Sequence, residues 1–80
     1  MLGVLTGDPT PYLQDEIRVA GELRHRGALR ELWLREDMSG VVALIEANDE
    51  AAAQALVNEF PMVQNGLYRI ELVALVPPPG

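Results

Sequence analysis

No cysteine occurs in this eighty-residue chain, and its single histidine cannot by itself build a metal site. A domain of this size buries only about 60% of the surface its unfolded chain exposes, and small domains commonly lean on disulfides, a structural metal or self-association. Disulfides and thiolate zinc are closed to this chain. Its core must therefore be tightly packed or shared with another copy. Hydrophobic residues make up 49% of the sequence, with one Trp, two Tyr and one Phe, so the core is expected to be aliphatic.

The charge balance narrows the partners. Twelve acidic and six basic side chains leave a formal charge of −6, with nothing to neutralise a run of phosphates, so no nucleic-acid partner is expected. All six basic residues are Arg, at positions 18, 24, 26, 30, 35 and 69, which excludes a lysine Schiff base or lysine general base. The apolar run Val41 to Ile45 stops at Glu46, far short of a membrane span. Met1 to Leu5 is too short for a signal h-region and lacks a basic n-region, so a soluble cytoplasmic protein with no membrane partner is expected. Gly-rich phosphate cradles, metalloprotease helices and nucleophile elbows have no match, and no cofactor or metal is expected.

Periodicity and punctuation predict one domain over residues 1–76 and a Pro-rich tail over 77–80. Leu2 to Leu5 reads as a first strand. Asp8 or Thr10, with Pro9 or Pro11 near the first position, starts a helix to about Arg26, and Gly27 ends it. Leu13, Ile17, Ala20 and Leu23 form its expected buried stripe, with Asp15, Glu16, Arg18, Glu22 and Arg26 largely on the solvated side. Leu29 to Arg35 and Val41 to Glu46 read as strands joined by the turn formers Glu36 to Gly40. Asn48 or Asp49 caps a second helix to about Glu59, a loop follows over Pro61 to Gly66, and Leu67 to Val76 makes a long last strand. The order β-α-β-β-α-β predicts an α+β, ferredoxin-like fold: a four-stranded antiparallel sheet with two helices on one face.

Strand alternation assigns Leu32, Leu34, Val41, Ala43, Ile45, Ile70, Leu72, Ala74 and Val76 to the helix-covered face. The opposite face collects Leu29, Trp33, Val42, Leu44, Leu67, Val73 and Leu75 with the charged Glu31, Arg35, Glu46, Arg69 and Glu71. That surface is too apolar for a small monomer, which predicts a homodimer packed sheet to sheet. Its charges admit two readings. They form bridges at an interface rim, such as Glu31 with Arg35 or Glu46 with Arg69. Alternatively, the two sheets leave a cavity in which a Glu of raised pKa moves a proton while an Arg holds an anion. His25, beside Arg24 and Arg26 at a helix end, is a solvated residue favoured by the dipole or a base held in reserve. Tyr12 and Tyr68 serve packing or offer a hydroxyl to a ligand.

The segment Gly27 to Arg35, the strand Gly40 to Glu46, the helix end Phe60-Pro61-Met62-Val63 and the closing Glu71 to Pro77 together resemble the muconolactone isomerase-like family. The resemblance covers roughly residues 20 to 78 and implies a dimeric ferredoxin-like α+β barrel, as a homodimer or an assembly of dimers. It implies a cofactor-independent isomerase that moves a proton on a small anionic lactone-type metabolite. Glu31 would then be the base with His25 in reserve, and Arg30, Arg35, Arg69 and Trp33 would bind the ligand. The chain differs from the isomerases in having Arg24 and Arg26 and no lysine. The other function expected from the same features is a non-catalytic small-ligand-binding or assembly module.

Overall fold

The computed structural model describes residues 1–79. Four strands, β1 (Leu2–Leu5), β2 (Leu29–Leu34), β3 (Gly40–Ile45) and β4 (Tyr68–Glu71), form one sheet. The order is β2-β3-β1-β4 and every neighbouring pair is antiparallel. Each helical connection thus joins two strands with a third between them, the split βαβ arrangement. Helices α1 (Leu13–His25), α2 (Glu50–Val57) and the short α3 (Pro61–Gln64) complete the fold. The α+β, ferredoxin-like architecture matches the expectation, and no helix among the described residues is long and apolar enough to cross a membrane.

Local chemistry explains where the helices begin and end. The Asp49 carboxylate accepts from the Ala52 N–H at 2.8 Å and caps α2. At the end of α1, Gly27 adopts φ +75°, its N–H donates to the Arg24 carbonyl, and the Ala28 N–H donates to the Leu23 carbonyl. Those two bonds close a Schellman motif, which uses the left-handed residue that glycine supplies most cheaply. Asp8 accepts from the Thr10 N–H and organises a single 3-10 turn over Thr10–Tyr12, so α1 itself starts at Leu13. The expected loop at Pro61 contains α3, because Pro61 stands at a helix start where its missing N–H costs nothing.

Three expectations about packing change. Leu29, placed on the outer face by alternation, is only 1% exposed and joins Val19, Leu23, Ala43 and Phe60 in the core. The cause is a register shift: Leu29 pairs with Ile45 but Glu31 pairs with Leu44, so Arg30 is an extra residue and the alternation restarts after it. On α1, Val19 and Leu23 are buried while Ile17 is 72% exposed, so the buried stripe runs through Glu16, Val19, Ala20 and Leu23. Finally, β4 ends at Glu71 rather than Val76. Glu71 pairs with Leu2 at the start of β1, so the following residues run past the end of their neighbour.

Gly21 lies on the exposed side of α1, and a Cβ built there meets nothing within 4 Å. Gly21→Ala is expected to stabilise the protein by about 0.5–1 kcal/mol, chiefly by restricting the unfolded chain. A rise in the urea midpoint at unchanged slope would show it, and a fall would contradict it.

Candidate functional site

An apolar groove of about 250 Å³ opens between α1 and the sheet. Leu13 and Ile17 of α1 form one wall, and Leu34 and Val41 at the hairpin end of the sheet lie across from them. Met62 and Tyr68 close it toward α3 and β4. The groove exists because the sheet extends beyond the cover that α1 provides: Leu34 belongs to the helix-side alternation yet is 62% exposed.

One acidic side chain enters this lining. Glu16 stands four residues before Ala20 and seven before Leu23, on the stripe that faces the sheet. Its Oε1 accepts from the Met62 N–H at 3.0 Å. Met62 lies in the first turn of α3, whose N-cap Phe60 offers no side-chain acceptor, so Glu16 caps that turn from a different helix. Burial pushes the Glu16 carboxyl above the ordinary value, and the Met62 hydrogen bond opposes this only in part. Tyr68, half-buried in the same lining, has its hydroxyl pKa raised by burial and by the neighbouring Glu16 charge. A carboxyl, a phenol and an apolar surround are thus brought together.

The residues singled out from the sequence lie elsewhere. Glu31 is exposed on the outer face, where its Oε2 accepts from the Trp33 indole N–H at 3.1 Å. Arg30, at the bulge, faces the Glu46 carboxylate at 3.7 Å, so Glu46 pairs with Arg30 rather than with Arg69. Arg35 sits in the hairpin 3.8 Å from Asp37, not on Glu31. His25 is the exposed last residue of α1, and Arg69 is exposed on β4. None of Glu31, His25, Arg30, Trp33, Arg35 and Arg69 lines the groove. Among the described residues no group of three His, Asp or Glu side chains is placed to hold a metal ion.

Glu16 escaped the sequence reading because a carboxylate within a charged helix reads as solvated. Its spacing to Ala20 and Leu23 was the available signal. The pattern Leu13, Ile17, Ala20, Leu23 masked it by offering a more apolar stripe rotated to one side.

The outer face of the sheet is apolar at its centre. Leu2, Trp33, Val42 and Leu44 are all exposed there, with Trp33 at 63%. Cross-strand pairing puts Leu2 beside Val42 and Val42 beside Trp33, so the three strands contribute to one patch. No protein-family model, curated protein or solved structure matches the chain.

Proposed function

We propose that this protein binds a small β,γ-unsaturated lactone or ketone in the groove beneath α1 and moves a proton on it, with Glu16 as the acid–base residue. The observation that carries the reading is the Glu16 carboxyl, half-buried in an apolar cavity with its pKa raised by desolvation. A raised pKa strengthens the carboxylate as a base and brings its titration toward neutral pH. This is the reaction class implied by the likeness to muconolactone isomerase, with the base placed at Glu16 instead of Glu31 or His25. No arginine lines the groove, so a neutral carbonyl compound suits it better than the anionic metabolite first expected.

In the proposed reaction the Glu16 carboxylate removes a proton from the saturated carbon between the carbonyl and the double bond. The C–H electron pair moves into the conjugated system, and the Tyr68 hydroxyl donates a hydrogen bond to the carbonyl oxygen as charge collects there. The protonated Glu16 then returns the proton to the far carbon of the same system. The double bond is thereby shifted with no net gain or loss of atoms or electrons. A direct test incubates the protein with small β,γ-unsaturated butenolides and cyclic β,γ-unsaturated ketones in deuterated water and follows their C–H signals. Deuterium entry and double-bond migration, each faster than in buffer, support the proposal. Protein that leaves the exchange rate at the buffer value overturns it.

The outer face favours a second reading, a homodimer packed sheet to sheet, because a contiguous apolar patch of this kind is usually covered. Trp33→Glu would set a carboxylate on that patch and, beside Glu31, a like charge. Loss of a dimer mass in light scattering at about 100 µM is expected, with the far-UV spectrum retained. A mass that is monomeric before the substitution would remove this reading.

A further inference from the structure

The groove beneath α1 has two unlike ends. Its lining reaches from Leu32 and Leu34 on β2, one edge of the sheet, to Tyr68 on β4, the other edge. Three strand spacings separate those edges, so the floor of the groove runs about 14 Å across the ladder. At the β4 end Glu16 and Tyr68 are neighbours, and Met62, whose N–H donates to Glu16, is buried at 3% exposure. At the β2 end the lining is aliphatic, and Leu34 and Ile17 face each other across an open lip. Among the described residues that line the groove, only Glu16 and Tyr68 carry a side-chain oxygen or nitrogen. The polar chemistry is therefore confined to one end.

These dimensions limit the occupant. A volume of about 250 Å³ spread over about 14 Å leaves a mean section of about 18 Å². That admits one hydrocarbon chain and is too narrow for a helix about 10 Å across. An extended peptide also fits poorly, because the β2 end offers its amides no side-chain partner and a buried unpaired amide weakens binding. A fatty-acid anion would find no basic side chain in the lining, and its carboxylate would meet Glu16. A bare ring beside Glu16 and Tyr68 would leave the Leu34 end in contact with water.

We infer that the ligand of this groove is a neutral ring carbonyl compound bearing an unbranched alkyl chain, its ring at Glu16 and Tyr68 and its chain laid across the sheet to Leu34 and Ile17. The inference rests on the reading of the groove as the reaction site and adds what selects the substrate. Leu34 and Ile17, 62% and 72% exposed, supply the apolar surface that the chain covers. A carbonyl held at one end and a chain held at the other allow a single ring orientation, which presents one carbon to Glu16. Leu34 and Ile17 are thus specificity residues for a reaction performed at the far end of the groove.

The test measures the binding of saturated γ-lactones to the full chain by calorimetry, from the methyl through the butyl and hexyl to the decyl compound. These probes have no double bond to move, so binding is read apart from turnover. Affinity is expected to rise about two- to fourfold for each methylene and to level off once the chain passes Leu34. The double variant Ile17→Ser, Leu34→Ser alters two exposed side chains, so its circular dichroism should match the wild type, while the hexyl-to-methyl affinity ratio should fall at least about tenfold. Affinity independent of chain length overturns the inference, even where short unsaturated lactones are isomerised and the proposed chemistry stands. A gain with chain length but no isomerisation supports the inference and counts against the proton transfer. A ratio unmoved by the double variant lays the chain elsewhere and overturns it. So does a wild-type protein that binds no lactone and loses a dimer mass in the double variant, which would give the lip to a second copy.

Discussion

Gly40→Ala is expected to unfold the protein or lower its stability by more than about 3 kcal/mol, a large share of what an eighty-residue domain possesses. Gly40 opens β3 opposite Val4, and its Cα faces the backbone of β1. A Cβ added there would overlap the Gly3 carbonyl oxygen and press on the Gly3 carbonyl carbon and the Val4 Cα. These are backbone atoms of a central strand that is paired on both sides, so no rotamer change relieves the overlap. β1 would have to move away from β3, breaking the pairing that joins the two halves of the fold. Thermal melting followed by circular dichroism measures the effect. A Gly40→Ala protein with a melting temperature within a few degrees of the wild type would show that the sheet tolerates the shift. Gly21→Ala, open on all sides, is the matched control.

Glu16→Gln is expected to lower the proposed proton transfer by at least about 100-fold and to leave the fold intact. The side-chain oxygen of Gln can still accept from the Met62 N–H, so the tie between α1 and α3 is kept while the titrating group is lost. Glu16→Ala removes both and should also cost about 1 kcal/mol through the uncapped first turn of α3. Equal loss of exchange in the two variants with stability preserved only in Glu16→Gln assigns the carboxyl to chemistry. A Glu16→Gln protein with undiminished exchange would leave Glu16 with capping alone. The pH dependence provides a separate readout. The folded Glu16 pKa lies above its ordinary 4.5, so between those two values the folded state binds more protons than the unfolded state. Stability contributed through this group is therefore greatest below pH 4.5 and falls as pH rises through the raised value. Glu16→Gln should flatten that part of the stability profile, and an unchanged profile would place the carboxyl in water.

These two variants also mark the boundary of what was legible in the chain. Asp49 and Gly27 are caps whose chemistry acts within a few residues, so α2 begins and α1 ends where the sequence places them. The hairpin is equally local: Asp37 Oδ1 accepts from the Ser39 N–H and hydroxyl, and the Met38 N–H returns to the Arg35 carbonyl. Gly40, by contrast, reads as the last residue of a turn, and its need for glycine comes from Gly3, thirty-seven positions away and on another strand. Leu29 and Arg30 show the same limit, since one bulged residue reverses the face of everything before it and no local signal marks it.

Element order, the caps and the apolar outer patch of Trp33, Val42 and Leu44 follow from the amino-acid sequence, because periodicity and short-range hydrogen bonding are properties of neighbouring residues. Tertiary structure decided the rest. The rotation of α1 set Glu16 on the stripe that faces the sheet and left Ile17 at the exposed lip of the groove, a choice set by how the helix settles on the sheet. The register of β1 against β4 decided that the last strand ends at Glu71, opposite Leu2. Both depend on contacts between segments far apart in the chain, where a displacement of one residue changes which side chain is desolvated and which backbone groups are left to pair.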